Sequence, residues 1–123
     1  MYYKVMTKAL EDYLEAVLVL EIEKKPLRSI SIAKHLNVSK PAVTRALNEL
    51  ADMGYVTKNN YHNVVFTTKG RNIAKTIYHR HLTIKRFLID LGVKEKTAEA
   101  DCCQIEHVIS KETLKALENY LKK

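Results

Sequence analysis

The fold is decided by residues 29–54, which read SISIAKHLNVSKPAVTRALNELADMG. The first eight of these residues have helical apolar spacing and predict a short helix that Ser29 caps. Its inward-facing positions are Ile32, Ala33 and Leu36. A three-residue turn follows, and Ser39 then caps a second helix that ends at Gly54. Pro41 fits the first turn of that helix, where its missing N–H costs no hydrogen bond.

The flanking sequence predicts one helix before this pair and a β-hairpin after it. Residues 8–23 have helical apolar spacing behind Thr7, which is a suitable cap. After Gly54 the period changes to that of strands, in residues 55–58 and 64–67, with turn-forming residues between them. Two short helices joined by a tight turn, with a helix before and a hairpin after, are typical of a winged helix-turn-helix.

The remaining chain predicts three further helices. The first is long, is closed by Gly92, and has an apolar stripe into which His81 falls; the last two are separated at Ser110. Their predicted bounds are 69–91, 95–108 and 111–122. The stripe of the long helix comprises Ile73, Ile77, Ile84, Leu88 and Leu91. We therefore expect a mostly α chain, with a winged helix-turn-helix domain over residues 1–70 and an all-helical dimerisation domain over residues 71–123.

Length and composition exclude several classes of protein. The chain has 123 residues, of which 46% are hydrophobic and 28% charged, an ordinary globular mixture with enough residues for a core. The longest apolar run, Ala16–Leu20, is far shorter than the ~20 residues that span a membrane. The N-terminus soon turns charged and lacks the apolar core of a signal peptide. We expect a cytoplasmic protein with no membrane partner.

Positive charge is concentrated in the middle of the sequence. The net charge is +7, and thirteen Lys and Arg but only two acids lie between Lys24 and Arg86. Solvated surface charge alone would account for a modest excess, but a basic segment between mildly acidic flanks favours binding to nucleic acid.

The N-terminal, outward-facing part of the second helix of the pair is where such a helix reaches base edges in the major groove. The residues there are Ser39, Lys40, Pro41, Ala42, Thr44 and Arg45. Lys58 and His62 on the hairpin are candidates for contact with backbone phosphate or the minor groove. The alternative interpretation is a capped helix on an ordinary surface.

A second group of residues suggests metal chemistry. Cys102 and Cys103 are adjacent, and neighbouring cysteines meet disulfide geometry only with strain, so free thiols are expected. On a helix, Cys103, Glu106 and His107 share a face, and sulfur, carboxylate and imidazole donors together suit a transition metal. His81, set in an apolar stripe, points inward and strengthens this interpretation. The alternative is a packed polar cluster without a metal.

The sequence resembles the diphtheria-toxin-repressor and manganese-transport-regulator family over nearly its whole length. The resemblance is carried, in order, by Glu11–Glu15, Ala33–Val56, Thr67–Gly70, His81 and the Cys103-x-x-Glu106-His107 string. It implies a homodimeric, metal-activated repressor of metal-uptake genes that binds a roughly palindromic duplex operator. The chain ends at Lys123, and on the resemblance we expect it to be similar to the short branch of the family, which lacks an SH3-like domain.

The resemblance also implies the metal ligands. The implied set is Asp12, Glu15, His81, Cys103, Glu106 and His107. The manganese branch has a glutamate in place of Cys103, whereas the iron branch has a cysteine there, but a methionine at Asp12 and a glutamate ligand at Lys85. A thiolate shifts preference away from Mn²⁺, and the oxygen donors retain it, so Fe²⁺ is the expected activator and Mn²⁺ the second.

Two other functions are alternatives to a metal-sensing repressor. One is a metal-independent winged-helix regulator, in which Cys103, Glu106 and His107 only pack together. The other is a thiol hydrolase that uses Cys103 and His107. An enzyme is not expected, because no oxyanion-hole loop is evident and the basic middle of the chain would be unexplained. No small organic ligand is expected either.

Overall fold

A computed structural model describes residues 6–59 and 63–123, and these form six helices and one two-stranded sheet. The elements are α1 (Lys8–Ile22), α2 (Ser29–Leu36), α3 (Lys40–Asp52), β1 (Val56–Lys58), β2 (Val64–Phe66), α4 (Thr68–Asp90), α5 (Glu95–Ile105) and α6 (Lys111–Leu121). The chain divides into two compact units, residues 1–75 and 76–123. The N-terminal unit has the expected winged helix-turn-helix, and the C-terminal unit is entirely helical, which confirms the predicted fold class.

The core of the N-terminal unit is built around α1. Thr7 caps this helix as predicted, because its hydroxyl accepts the N–H of Leu10 at 3.2 Å. Seven side chains of α1 are buried, and the helix packs against α2 and α3. The burial of Leu14 and Val17 is complete. Burial of these apolar side chains stabilises the three-helix arrangement, because each Å² of apolar surface removed from water contributes about 25 cal/mol.

The turn between α2 and α3 has the geometry of a helix-turn-helix. Asn37 adopts a left-handed conformation (φ 56°) after α2, and the N–H of Val38 bonds back to the Ala33 carbonyl at 3.0 Å. Ser39 caps α3 as predicted by accepting the N–H of Ala42 at 3.2 Å. Four apolar side chains of α3 are buried against the core, namely Val43, Ala46, Leu47 and Leu50.

The start of α2 differs from the prediction. Ser29 is the first residue of the helix, and the capping position belongs to Arg28, which makes no side-chain capping bond. The Arg28 carbonyl accepts the Ile32 N–H at 3.1 Å, so the helix begins one residue after its cap, at the serine. Ile32 is fully buried, whereas Ala33 and Leu36 are only half-buried.

The hairpin is antiparallel, with Val56 opposite Phe66 and Lys58 opposite Val64. It is joined to α4 by Thr67, whose hydroxyl donates to the Gly54 carbonyl at 2.7 Å and accepts the Gly70 N–H at 3.0 Å. Gly70 comes so close to the chain at Tyr55 that a Cβ would lie 1.8 Å from the Tyr55 carbonyl oxygen. Only glycine fits there, because a Cβ would collide with backbone atoms of Tyr55, which cannot move aside as the end of a flexible side chain can.

The apolar stripe of α4 is partly confirmed. Ile77 and Ile84 are buried and so is His81, but Leu91 is 60% exposed. The prediction for Leu91 is wrong because α4 ends at Asp90 and Gly92 turns the chain away with φ of 101°. Leu91 therefore follows the last helical residue and leaves the stripe.

Two shorter helices complete the C-terminal unit. Helix α5 ends at Ile105, before the predicted residue 108, and Ser110 caps α6 by accepting the Thr113 N–H at 3.1 Å. The ring of Tyr120 on α6 meets that of Phe87 on α4 edge to face, with centroids 5.6 Å apart. Every helix in the described part of the chain is too short or too polar to traverse a lipid bilayer.

An ion pair joins the end of α1 to the start of α4 within the N-terminal unit. The guanidinium of Arg71 donates to both carboxylate oxygens of Glu21, with Nη2 3.0 Å from Oε2. These hydrogen bonds hold the pKa of Glu21 below its ordinary value and raise that of Arg71. The folded state therefore favours the ionised carboxylate.

This pair predicts a pH-dependent stability. A carboxyl pKa that is lower in the folded than in the unfolded chain stabilises the folded state. This contribution is complete at pH values above the ordinary pKa of glutamate, and it is lost as pH falls through the lowered pKa of the folded state. We expect Arg71→Gln to lower the free energy of unfolding by ~0.2–1 kcal/mol near neutral pH. The difference should shrink below about pH 4, where glutamate is protonated in the unfolded chain. Urea unfolding at the two pH values measures it.

The matched control is Lys25→Gln, which breaks the exposed pair between Lys25 and Glu23. It should change stability less than Arg71→Gln. A gap between wild type and Arg71→Gln that stays constant down to acid pH would contradict the assignment.

Candidate metal centre and nucleic-acid interface

The outer face of α3 has the properties of a DNA-reading surface. Ser39, Lys40 and Pro41 at its start are exposed, and Thr44 and Arg45 are exposed one turn later. Ala42 is half-buried. The Thr44 hydroxyl donates to the Lys40 carbonyl at 3.2 Å, so its oxygen lone pairs face outward as acceptors. A helix start that presents N–H groups, hydroxyls and cations is suited to phosphates and base edges.

Sequence reasoning missed one residue of this surface. Asn48 is exposed and lies one turn beyond Thr44, on the same face of α3. An asparagine amide can pair with adenine through two hydrogen bonds. The signal was present in the sequence, because Pro41, Thr44, Arg45 and Asn48 follow i, i+3, i+4, i+7 spacing.

On the hairpin, Lys58 is exposed at the end of β1. The N–H of Asn63 bonds to the Asn59 side chain at 3.1 Å, which brings the ends of the connecting turn together. His62, the second predicted contact on the hairpin, lies outside the described residues.

In the C-terminal unit, the imidazole of His81 is the centre of a cluster of polar side chains. It is 5% exposed and projects from α4 toward residues of α5 and its C-terminal end. Its Nδ1 lies 3.5 Å from Glu106 Oε1 and 3.9 Å from Cys103 Sγ. Its Nε2 lies 3.0 Å from Glu99 Oε2. The two ring nitrogens therefore face different partners.

Glu106 is the most unusual side chain of the cluster, because a carboxylate is buried with 1% exposure. It is the residue that caps the C-terminus of α5. Oε1 lies 3.5 Å from both His81 Nδ1 and His107 Nε2, so two imidazoles meet one oxygen. Among the described residues, Oε2 is buried without a hydrogen-bond partner. A buried carboxylate oxygen of this kind is costly unless a cation or donor satisfies it.

The two cysteines are free thiols, as predicted, but they differ in their surroundings. Cys102 is fully buried and donates its S–H to the Glu99 carbonyl at 3.3 Å. Its sulfur is 3.6 Å from both nitrogens of His81, which places it against the face or Cε1 edge of the ring, where no lone pair points. Burial raises the pKa of the Cys102 thiol far above its ordinary value. Cys103 is half-buried, and its sulfur lies 3.9 Å from Nδ1 of His81.

Glu99 was not among the predicted site residues. Its carboxylate contacts His81 Nε2, and its Oε2 also lies 3.1 Å from Lys85 Nζ. Burial raises the pKa of Glu99, but hydrogen bonds from Lys85 and His81 outweigh it and leave the pKa below its usual value. The sequence around Glu99 gives no signal for this role, because its partners His81 and Lys85 lie on a different helix, α4.

The two carboxylates predicted from the first helix lie in the N-terminal unit. Asp12 and Glu15 are half-buried and three residues apart, so they share a face of α1. Asp12 accepts a hydrogen bond from Lys8 at 3.3 Å.

The residues of the cluster fit a transition-metal ion. With bonds of ~2.1 Å to nitrogen and oxygen and ~2.3 Å to sulfur, ligands of one ion lie roughly 3–4 Å apart. The separations of His81 Nδ1 from Glu106 Oε1 and Cys103 Sγ, 3.5 and 3.9 Å, fall in that range. The orphaned Oε2 of Glu106 indicates the same thing independently. Imidazole, carboxylate and thiol together suit iron, cobalt, manganese or zinc rather than calcium.

The fold and cluster define a class of protein: a winged-helix DNA-binding protein with a helical unit whose buried polar cluster could hold a metal ion. Residues 5–64 match the N-terminal DNA-binding domain of the iron-dependent repressors, and residues 67–123 match their metal-binding and dimerisation domain. The chain therefore belongs to the iron-dependent repressor family of transcriptional regulators.

Individual relatives support the same family assignment. An uncharacterized HTH-type transcriptional regulator of Methanocaldococcus jannaschii is 38% identical over 120 residues, which are 96% of each chain. The transcriptional regulator MntR of Salmonella typhimurium is 35% identical over 87% of this chain and 68% of its own. The solved structure of the manganese regulator SloR superposes with a TM-score of 0.83 at 27% identity, over 95% of this chain. This chain spans about half of SloR, 55% of its length.

The exposed position of Arg45 predicts its effect on DNA binding. If the guanidinium reads a base edge, Arg45→Ala should weaken specific binding by ~1–3 kcal/mol and relax specificity at one position. Fluorescence anisotropy with specific and scrambled duplexes measures both effects.

Lys115→Ala, at an exposed position of α6, is the matched control for lost positive charge and should leave the specificity ratio unchanged. Equal losses of specific and scrambled binding in Arg45→Ala would instead assign Arg45 to phosphate.

Proposed function

We propose that this protein is a cytoplasmic, metal-dependent repressor that binds a roughly palindromic operator as a homodimer and controls metal-uptake genes. The observation that carries the proposal is the buried cluster around His81 in a chain that also has an exposed DNA-reading helix. A constitutive DNA-binding protein has no need to bury Glu106 with an unsatisfied oxygen.

The proposed ligands are those that the resemblance implies: Asp12, Glu15, His81, Cys103, Glu106 and His107. Within the C-terminal unit, the chain supplies two imidazoles around Glu106 and one thiol beside His81. Asp12 and Glu15 add oxygen donors from α1. A bound divalent cation would supply the positive charge that lets these anionic and neutral donors remain together.

Regulation follows from linkage between metal binding and DNA binding. Metal activates only if the DNA-competent arrangement binds it more tightly than other arrangements do. We propose that ligands from α1, which is part of the DNA-binding unit, provide this differential affinity. In that arrangement, two recognition helices of a dimer would enter successive major grooves ~34 Å apart.

Homodimer formation is proposed through the C-terminal unit. Several large apolar side chains of this unit are exposed, in or just after α4 and in or just before α6. They are Leu82, Ile89, Leu91, Val108 and Tyr120. Leu82 and Ile89 are seven residues apart and therefore share one face of α4. Exposed apolar surface of this kind favours association with a second copy.

The function predicts metal-dependent DNA binding. Selection from a pool of random duplexes with Mn²⁺ should enrich a roughly palindromic sequence, and EDTA should abolish binding to it. Binding should also weaken steeply with salt, because phosphate contacts by Lys and Arg release counterions. His107→Ala should lose metal and hence DNA binding, as measured by metal titration and anisotropy.

His79→Ala is the matched control, because His79 is an exposed histidine of the same unit whose ring pairs with Glu118 at 3.3 Å. It should bind metal and DNA as wild type does. Tight specific binding in excess EDTA would overturn the proposal in favour of the metal-independent regulator.

Metal preference is expected to depend on Cys103, with Fe²⁺ as the favoured activator and Mn²⁺ as the second. A thiolate shifts preference toward Fe²⁺, Co²⁺ or Zn²⁺, while the carboxylates suit six-coordinate Fe²⁺ or Mn²⁺. Cys103→Glu should therefore move half-maximal activation toward Mn²⁺. Anaerobic titration of DNA binding with each metal measures the Mn²⁺-to-Fe²⁺ ratio.

The matched control is Cys102→Ala, since the Cys102 sulfur lies against the imidazole ring rather than in line with a lone pair. It should retain the wild-type ratio. An unchanged ratio in Cys103→Glu would show that the Cys103 thiol is not a ligand.

A further inference from the structure

The carboxylate of Glu99 lies between an imidazole and an ammonium group. Its two oxygens are 3.1 and 3.0 Å from His81 Nε2, and Oε2 is also 3.1 Å from Lys85 Nζ. Lys85 lies 3.6 Å from Glu95 as well, but that carboxylate is 80% exposed. The three groups form a chain that runs from Lys85 through Glu99 to the buried ring.

The contact between Glu99 and His81 decides which ring nitrogen of His81 carries the hydrogen. A carboxylate accepts hydrogen bonds and cannot donate them, and carboxylates face both ring nitrogens of His81. Glu99 is 3.0 Å from Nε2, whereas Glu106 is 3.5 Å from Nδ1, at the limit of a hydrogen bond, so the hydrogen of the neutral ring is better placed on Nε2. Metal ligation requires the lone pair of a ring nitrogen. Nδ1, which faces Glu106 and Cys103, is therefore the nitrogen left to bind a metal.

Lys85 fixes the other end of Glu99. Its ammonium group provides a positive charge at the same oxygen that contacts Nε2, which keeps the carboxylate ionised and restricts its rotation. A cation bound at that oxygen would have to approach an ammonium 3.1 Å away. This arrangement makes Glu99 a poor metal ligand and a good hydrogen-bond acceptor.

We infer that Glu99, held by Lys85, is a positioning residue that commits His81 to bind metal through Nδ1. The inference rests on the proposed metal-dependent function and adds two residues that the predicted ligand set does not contain. Hydrogen bonds from a carboxylate to the second nitrogen of a ligating histidine fix its tautomer and orientation and raise its basicity.

The test uses the full chain and two readouts. The first is the tautomer of His81 in metal-free protein, measured by long-range ¹H–¹⁵N NMR above the titration range of histidine, with the signals assigned by their loss in His81→Gln. The second is affinity for Mn²⁺ and Co²⁺ by calorimetry. Glu99 lines an open groove with Lys85, Glu95 and Lys96, so a neutral side chain is accommodated there.

In wild type we expect the Nε2–H tautomer. Glu99→Leu should shift the population toward Nδ1–H and lower affinity for both metals by about 10–100-fold. Glu99→Gln, which retains an acceptor oxygen, should lose less than Glu99→Leu in both readouts. Glu95→Gln is the matched control and should change neither, because it alters the charge near Lys85 without touching His81.

Two results would overturn the inference. One is a Glu99→Leu protein with the wild-type tautomer and wild-type affinity, which would make Glu99 a surface residue. The other is complete loss of metal binding, as in His81→Gln, which would make Glu99 a ligand. A wild-type protein that binds neither metal would instead refute the proposed function, and the tautomer would still report whether Glu99 controls the ring.

Discussion

The burial of Glu106 beside His81 constrains the whole C-terminal unit. Burying a carboxylate to 1% exposure is costly unless hydrogen-bond donors or a cation satisfy its charge. His81 must therefore project from the inward stripe of α4, and α5 must end where Glu106 can meet it. His107 follows at once and approaches the same oxygen at 3.5 Å. The early end of α5 at Ile105 is part of this geometry, since Glu106 is the capping residue.

The two units divide the physical requirements of the proposed function. The N-terminal unit presents an exposed face of α3 that has hydroxyl, amide and guanidinium groups on a rigid helix. The C-terminal unit collects soft and hard donors in a place shielded from water. Groups that bind phosphate must be exposed, whereas groups that select a metal benefit from burial, so separate units suit the two tasks.

Much of the fold was predictable from local pattern. The caps at Thr7 and Ser39 depend on residues close in sequence, and both predictions are confirmed. The predicted first and last residues of helices were less accurate. Ser29 and Leu91 were placed wrongly because the bounds of α2 and α4 depend on backbone conformation at Arg28 and Gly92, which side-chain periodicity does not report.

The site was harder to predict than the fold. His81 and Glu106 could be anticipated, because a polar residue in an apolar stripe or next to a histidine is conspicuous. Glu99 could not, since its role depends on Lys85 and His81, fourteen and eighteen residues away, and on the packing of α5 against α4. The different surroundings of the two cysteines likewise follow from tertiary packing.

That difference between adjacent thiols gives the protein an intrinsic reporter of its own unfolding. Cys102 is sealed in the core of the C-terminal unit, whereas Cys103 is half-buried. An alkylating reagent will therefore modify the two side chains at different rates, and Cys102 only when the unit opens. Mass spectrometry of the modified protein measures the rate of alkylation at Cys102. That rate reports how often the C-terminal unit opens, without any added label.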